Sequence, residues 1–446
     1  MFKIILFYFK LIFNSSANAN SKSEFALAGW CLIQKKSYRN FYHSSITFFY
    51  IFICWGRAIR RLFSTTTNHR KIEGGNPKYA LWDNSATRIE NRVNHIKTNG
   101  GELPSLFVVR NETGPNKFIL KIWITFLFIC LLPFLFVWSL FNKQTENIGL
   151  LFDEWIEAYG LLDAIEKYKI NYLYFYCPYE NDANALYLFL RQRGVTMNKI
   201  PSPNLLAIHN ADILTDILTL TNPCQLDELL GLSDKIKYNK VIKWVPEQYH
   251  DYCDFYKERK VVRKFTIGFY SHGSWVRQLK INGGALHNDI EAELSFLKVF
   301  SGILKKNNNF KISIFLHPNE RQFEDFNVVI SYYDKLFGQG NYLISDLSQS
   351  SSSKFDTVDI GIGAFSTILF ERLFMGFKTV FYPIGINYFP QKKANIVGIC
   401  PVTPENLESL ILHLSEISTL EYLQEYNLMK YTIFNWNTEL NSEQKN

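Results

Sequence analysis

Apolar residues in this chain come mostly in short runs separated by polar or glycine-containing links, and the runs alternate between strand and helix periods. Lys78–Trp82 reads as a short strand. Asp83-Asn84-Ser85 supplies cap residues for a helix reaching about Ile96, and Leu106–Val109 reads as the next strand. Beyond a long apolar stretch, Phe152–Lys169 has helical periodicity and Tyr172–Tyr176 is a strand. Glu180 to about Arg193 is helical, and an extended segment follows Gly194 as far as Ile200. Trp244–Arg263 is aromatic, charged and helical in character, which suits a connection. A second series opens with the strand Phe265–Tyr270 and the loop Ser271-His272-Gly273-Ser274. It runs on through a helix at Asp289–Lys305, the strand Lys311–Leu316, a helix at Glu320–Leu336 and the strand Tyr342–Ile344. A serine-rich loop at Ser348–Ser353, the strand Thr357–Gly361, a helix at Phe365–Phe374, the strand Thr379–Tyr382 and a helix near Pro404–Ile417 complete it. Strand–helix alternation with short links is the pattern of a parallel sheet covered by helices. Two such series predict an α/β chain with two Rossmann-like domains facing a cleft. The expected divisions are a membrane-associated helical region at 1–70, a first domain at 71–250 and a second at 251–435.

One segment breaks the alternation. Phe118–Phe141 is apolar throughout except for Lys121, and the 20 residues from Ile122 carry no charge. At about 1.5 Å per residue a helix of that length covers about 30 Å, the thickness of a hydrocarbon core. Pro133 in its middle leaves open a straight span or a kinked monotopic insertion. A shorter run, Ser45–Trp55, is followed by Arg57, Arg60 and Arg61, which favours the cytoplasmic side. A third, Ile4–Phe13, is interrupted by Lys10, which argues against a cleaved signal peptide despite the small residues Ala17-Asn18-Ala19. The expected location is the cytoplasmic face of a cell inner membrane, with membrane lipids as partners.

Composition sharpens this picture. The 446 residues are 47% hydrophobic and 20% charged, which excludes a disordered chain. The net charge of +7 hides a split. Residues 1–145 hold 19 Lys/Arg and 6 Asp/Glu, whereas the remainder holds 29 and 35. The basic third carries its aromatics in contiguous apolar runs, which fits a membrane surface and not a nucleic acid. The seven cysteines include no CxxC pair and no zinc spacing, so reduced, mostly buried thiols and no metal site are expected.

In open α/β sheets ligands sit outside the carboxyl ends of the strands, which selects the residues that matter. His317-Pro318 ends the strand Lys311–Leu316 and leaves an imidazole where it can meet a phosphate. Gly361 and Gly363 permit close backbone approach, and Ser366-Thr367 lies in the first turn of the following helix, where free N–H groups attract anions. Glu371, one turn deeper, is placed to accept hydrogen bonds from a ribose diol. No GxxxxGK[ST], GxGxxG, GxSxG or HExxH motif is present.

The segment Gly361-Ile362-Gly363-Ala364-Phe365-Ser366-Thr367-Ile368-Leu369-Phe370-Glu371 through Gly376 resembles the donor-binding strand–loop–helix of GT-B glycosyltransferases of bacterial surface polysaccharide biosynthesis. His317-Pro318 and Ser366-Thr367 are also similar to the His-Pro and Ser-Ser/Thr motifs of bacterial sialyltransferases, although no counterpart of their acidic-acidic-Gly motif is present. The resemblance covers roughly 265–400. It implies a metal-independent glycosyltransferase without a cofactor, the nucleotide sugar being a substrate and a glycan or lipid-linked glycan the acceptor. It implies donor contacts from Ser271, His272, Gly273, Arg277, His317, Pro318, Gly363, Ser366, Thr367 and Glu371. The first domain would then hold the acceptor and a general base. Asp182 and Glu180, after the strand Tyr172–Tyr176, lead the candidates; His209 and the pair Asp153/Glu154 are others. A CMP-sugar transferase, a polyol-phosphate transferase and a non-catalytic membrane-bound assembly protein are the alternative expectations.

Overall fold

The structure, a computed structural model, describes residues 7, 44–64, 69–83, 86–109, 118–141, 145–176, 182–201, 213–231, 236–246, 266–276, 288–307, 310–345, 347–348, 350–364, 366–382, 396–433 and 435–436. They fall into two compact units. The first contains the described residues up to 201 together with 213–221 and 236–246. The second contains 222–231 and the described residues from 266 onward.

The first unit is built on a sheet whose described strands run in the order β1-β3-β2-β4-β5-β7-β9. These are β1 (His69–Lys71), β2 (Asn76–Asp83), β3 (Pro104–Val109), β4 (Tyr172–Tyr176), β5 (Thr196–Ile200), β7 (Ile217–Leu220) and β9 (Lys240–Lys243). A small parallel pair joins β6 (Ile213–Leu214) to β8 (Ile236–Lys237). All the main-sheet pairings are parallel except that of β1 with β3. Both faces of the sheet are covered, as a parallel sheet requires. On one face Trp82, Val108 and Phe175 join a core with Leu161, Leu186 and Phe128. On the other, Leu81, Phe107, Tyr174 and Tyr176 pack with Ile96 and Trp244. Alternate residues of β2, β3 and β4 thus serve opposite cores, and each large side chain fully buried there contributes roughly 1.5–3 kcal/mol.

Three helices pack on one another beside the first of these faces: α1 (Ser44–Ser64), α3 (Phe118–Phe141) and α4 (Thr145–Tyr168). The helix expected after β2 is α2 (Ile89–Thr98), preceded by a 3-10 turn. Along α3, Lys121, Ile124 and Phe128 are buried, while Phe118, Ile119, Ile122, Trp123, Phe126 and Ile129 are exposed. The Lys121 ammonium of α3 donates to the Phe63 carbonyl of α1 at 3.4 Å, and Arg61 of α1 pairs with Glu157 of α4 at 2.6 Å, so α1 is fastened to both of its neighbours. Among the described residues no helix is long and apolar enough to cross a membrane. Cys224 and Cys400 are buried free thiols, but Cys130 on α3 is exposed, contrary to the expectation for a cysteine in an apolar run.

The second unit carries a parallel sheet in the order β12-β11-β10-β13-β14. Its strands are β10 (Thr266–Tyr270), β11 (Lys311–Phe315), β12 (Tyr342–Ile344), β13 (Ile360–Gly363) and β14 (Thr379–Phe381). Its helices include α6 (Pro223–Gly231), α7 (Asn288–Lys306), α8 (Pro318–Arg321), α9 (Phe326–Phe337), α10 (Thr367–Phe374), α11 (Pro404–Glu416) and α12 (Thr419–Glu425). Four expectations are corrected. The helix expected at Glu320–Leu336 is two helices, because Asp325 accepts a hydrogen bond from the Asn327 N–H and restarts the chain as an N-cap. The serine-rich loop is largely a 3-10 helix, Ser351–Thr357, capped by Ser350 and burying Ser352. That turn uses up the residues expected to open the next strand, so β13 begins at Ile360. Trp244–Pro246, expected to be helical, is irregular, and the rest of that segment lies outside the described residues.

Candidate functional site

Strands β11, β10 and β13 are adjacent and parallel, in a register that aligns Phe269 with Ile314 and with Ile362. Their carboxyl ends therefore emerge side by side, and the segments that follow share one edge of the sheet. Those segments are Leu316-His317 and α8 after β11, Ser271–Gly273 after β10, and Ala364 and Ser366 before α10 after β13.

The His317 turn is fixed by its own atoms. His317 is the N-cap of α8, with Pro318 as the first helical residue and a capping box closed by Glu320. The His317 Nδ1 accepts a hydrogen bond from the Asn319 N–H at 3.2 Å, and the His317 N–H donates to Glu320 Oε2 at 2.7 Å. With Nδ1 engaged as an acceptor, the neutral ring carries its proton on Nε2 and presents that nitrogen as a donor. The His272 ring stands 6.1 Å from it, edge to face. Gly273 separates the two segments. Its φ of 64° and the His317 ring atoms 3.0 Å from where a Cβ would stand both require glycine.

The loop after β10 is held from below. Glu293 on α7 accepts hydrogen bonds from the His272 N–H and, at 2.8 Å, from the Ser274 N–H. The Ser271 hydroxyl donates to the same carboxylate at 3.4 Å and accepts from the Gly273 N–H at 3.0 Å. Ser271 is thus turned into the protein, and the part of this loop that points outward is the His272 imidazole, which is half-buried.

Ser366 is the N-cap of α10, and its hydroxyl makes no capping hydrogen bond to its own helix. Thr367 is exposed beside it. The first turn of α10 and the Ser366 and Thr367 side chains lie on the edge that also carries His317. The glycine pair has a different cause from the expected ligand approach. A Cβ on Gly361 would stand 2.4 Å from the Arg372 side chain, and one on Gly363 would stand 2.8 Å from the Tyr270 carbonyl. Their missing side chains make room for protein, not for a ligand.

Glu371 is buried and accepts a hydrogen bond from the Ser352 hydroxyl at 3.1 Å. Burial pushes its carboxyl up to about 7. A raised folded-state value means that the folded chain holds a proton which the unfolded chain gives up near 4.5, so stability is lost as pH rises through about 7. Glu371→Gln is therefore expected to be more stable than the native protein at pH 8 by about 3 kcal/mol, with little difference at pH 4. Urea denaturation at the two pH values measures it.

In the first unit, the chain passes from β2 to β3 on one side and then to β4 on the other, so the carboxyl ends of β2 and β4 form the topological switch point. A buried polar cluster lies there. Asp83 ends β2 and pairs with Arg92 Nε at 2.7 Å, and the Arg92 guanidinium stacks 4.2 Å from the Tyr176 ring centre. Nε2 of His95 lies 2.7 Å from the Val245 carbonyl and must donate to it, so Nδ1 accepts from the Tyr176 hydroxyl at 2.8 Å. Burial pushes His95 down to about 4, which keeps it neutral near pH 7. Asp182 opens the helix after β4, α5 (Asp182–Arg191), and so begins beside this switch point. Glu180, His209 and Arg277 lie outside the described residues. The pattern of the sequence did not single out Glu293, Glu320 or His95 for the site, and it marked Asp83 only as a helix cap. Of these only Glu320 carries a local signal, as the third helical residue after a His-Pro cap.

No protein-family model matches this chain, and no curated protein matches it significantly. Similar solved structures include Acinetobacter baumannii MurG, at 15% identity over 66% of this chain and 80% of that one, with a TM-score of 0.40. The UDP-GlcNAc 2-epimerase from Neisseria meningitidis bound to UDP-GlcNAc is 13% identical over 82% of this chain and 99% of that one, with a TM-score of 0.41. A glycosyltransferase from Rickettsia africae is 14% identical over 82% and 96%, with a TM-score of 0.40. TM-scores below 0.5 carry no weight for the site, whose chemistry rests on the residues just described.

Proposed function

We propose that this chain is a membrane-associated glycosyltransferase that moves a sugar from a nucleotide-sugar donor to a glycan or lipid-linked glycan in cell-surface polysaccharide biosynthesis. The observation that carries this reading is the convergence of His317, His272, Ser366 and Thr367 on one carboxyl edge of the second unit's sheet, with the two imidazole rings 6.1 Å apart. Imidazole N–H groups and a helix N-terminus with an unused cap hydroxyl suit the phosphates of a nucleotide, and they stabilise the phosphate as it leaves without a metal ion. Pro318 and Gly273 set the two turns, and Arg277 would add charge. Asp182 and Glu180, following β4, are the proposed bases for the acceptor hydroxyl, with His209 as the alternative.

The test is incubation of the purified protein with UDP-, GDP-, dTDP- and CMP-sugars, followed by measurement of free nucleotide. Turnover of one of them is expected; no turnover and no binding with any would end the proposal.

The membrane part of the reading is supported by the outward face of α3, where Trp123 is 60% and Phe126 57% exposed, together with exposed Arg57 and Arg60 on α1. Apolar side chains with basic residues near them fit the headgroup boundary of an anionic bilayer, with α3 lying in its plane at the cytoplasmic face of the inner membrane. Ile122→Glu/Phe126→Glu is expected to lower co-sedimentation with phosphatidylglycerol vesicles several-fold while leaving the thermal midpoint unchanged, because both side chains already face outward.

A further inference from the structure

Two buried carboxylates stand directly behind the two histidines, and neither belongs to the donor contacts proposed above. Glu293 is 1% exposed and Glu320 0%. Neither forms an ion pair with a described Lys or Arg; their partners are N–H and O–H donors. Glu293 takes the backbone N–H groups on either side of Gly273. Glu320 accepts from the His317 N–H on one oxygen. On the other it accepts from Trp275 Nε1 at 2.6 Å and from the Tyr333 hydroxyl at 2.8 Å. Trp275 belongs to the segment that carries His272, so Glu320 ties the two histidine-bearing segments to one point. Trp275 is itself held flat against Tyr332, with ring centres 4.4 Å apart.

Such an arrangement is costly to build. Taking a carboxylate out of water without a cation disfavours its charged form, and burial together with nearby Glu293 pushes Glu320 above the usual carboxylate range. An apolar core would hold the sheet at lower cost, whereas a fixed hydrogen-bond hub holds two turns in one geometry. The hub also limits how phosphate can bind. The backbone N–H groups of the loop after β10, an otherwise ready anion nest, are already taken: His272 and Ser274 by Glu293, and Gly273 by the Ser271 hydroxyl. Glu293 cannot swing clear, because its helix also carries Phe296 and Phe300, which are packed in the core. Phosphate recognition at this loop therefore falls on side chains, His272 and His317, whose separation Glu293 and Glu320 set.

We propose that Glu293 and Glu320 are positioning residues of the donor site, fixing the spacing of the His272 and His317 imidazoles for the phosphate of a nucleotide. This rests on the donor-site reading above. In Glu320→Gln the amide offers one acceptor and one donor where the carboxylate accepts on both oxygens. Either the His317 N–H or the Trp275 and Tyr333 donors must lose their partner. The experiment is calorimetric titration with UDP, GDP, dTDP and CMP, paired with hydrogen exchange of the segments 271–276 and 316–322. Glu320→Gln is expected to weaken nucleotide binding about tenfold and to raise exchange in both segments together. Glu293→Gln is expected to weaken binding by a similar factor but to raise exchange only in 271–276. Trp275→Phe keeps an aromatic ring, smaller than the indole, against Tyr332 and removes the N–H, so it gives a milder loss of about threefold should the glutamine variants fold poorly. Tyr333→Phe removes a donor to Glu320 without freeing either turn, so it lowers the thermal midpoint and leaves affinity within about twofold. Native binding with equal affinity in Glu320→Gln, or a loss in Tyr333→Phe as large as in Glu320→Gln, overturns the positioning role alone. Native protein that binds none of the four nucleotides overturns the donor-site reading, and the positioning role with it.

Discussion

Replacing His317 by alanine is expected to lower kcat/KM for the nucleotide sugar about 100-fold, close to 2.7 kcal/mol of lost transition-state stabilisation. Two consequences of the substitution must be separated. The ring's Nδ1 caps α8 by accepting the Asn319 N–H, and losing a cap costs about 1 kcal/mol of stability. In the proposed donor site the ring's Nε2–H would donate to the leaving phosphate, and losing it would cost activity without touching the fold. His317→Asn separates the two, because asparagine is a good N-cap but its side chain is too short to place a donor where Nε2 stands. Stability close to native with activity as low as that of His317→Ala is the expected pattern, read by thermal denaturation and steady-state kinetics. Near-native kcat/KM in His317→Asn would show that the histidine matters only as a cap.

The positions of the strand ends could be read from the sequence because their signals are local. Proline at the first helical residue marks the turn after β11, and the continuous apolar and aromatic run from Tyr172 to Tyr176 gives the whole of β4. What could not be read depends on partners distant in sequence. Glu293 lies some twenty residues after the loop it holds, on a helix whose periodicity marks its position only as one more turn. Ser352 belongs to a run that composition describes as a loop, yet its hydroxyl meets Glu371, nineteen residues on. β13 begins later than the pattern suggests because the 3-10 turn Ser351–Thr357 takes up the chain before it, and because Ile360 to Gly363 are all buried, so no alternation marks where the strand begins. β1 consists of His69, Arg70 and Lys71, which no apolar pattern would mark as a strand. It survives at the sheet's margin, antiparallel to β3, where charged residues also blunt the edge against further pairing. The strands β6 to β9 are two to four residues long, below the length at which periodicity can be recognised.

The largest expected effect on stability comes from a residue that sequence reading passed over because its type contradicts its position. Arg372 lies in α10 with no exposed surface. Its Nε donates to the Lys378 carbonyl at 3.1 Å, and its Nη2 donates to the carbonyls of Val358 at 2.9 Å and Asp359 at 3.2 Å. Its Nη1 donates to the Phe355 carbonyl and, at 3.3 Å, to the Tyr270 hydroxyl. The guanidinium therefore gathers the end of the 3-10 turn, the approach to β13 and the approach to β14 onto one planar fork, with the Phe377 ring centre 5.0 Å away. Gly361 exists for this side chain, since any Cβ there would collide with it. Arg372→Met keeps much of the volume and removes every donor, leaving buried carbonyls without partners at about 1–3 kcal/mol each before relaxation. A net loss of about 3–5 kcal/mol is expected, visible as a lower urea midpoint. Arg372→Lys should recover little of it, because one ammonium cannot span carbonyls on several sides. Because Ser366 and Thr367 hang on the same strand–helix junction, nucleotide affinity should fall along with stability in Arg372→Met. Glu320→Gln, by contrast, acts on the other side of β10 and leaves the β13 junction as it is. A stability change below about 1 kcal/mol in Arg372→Met would mean that the carbonyls find other partners, and that the fork is not what holds the β13 side of this sheet together.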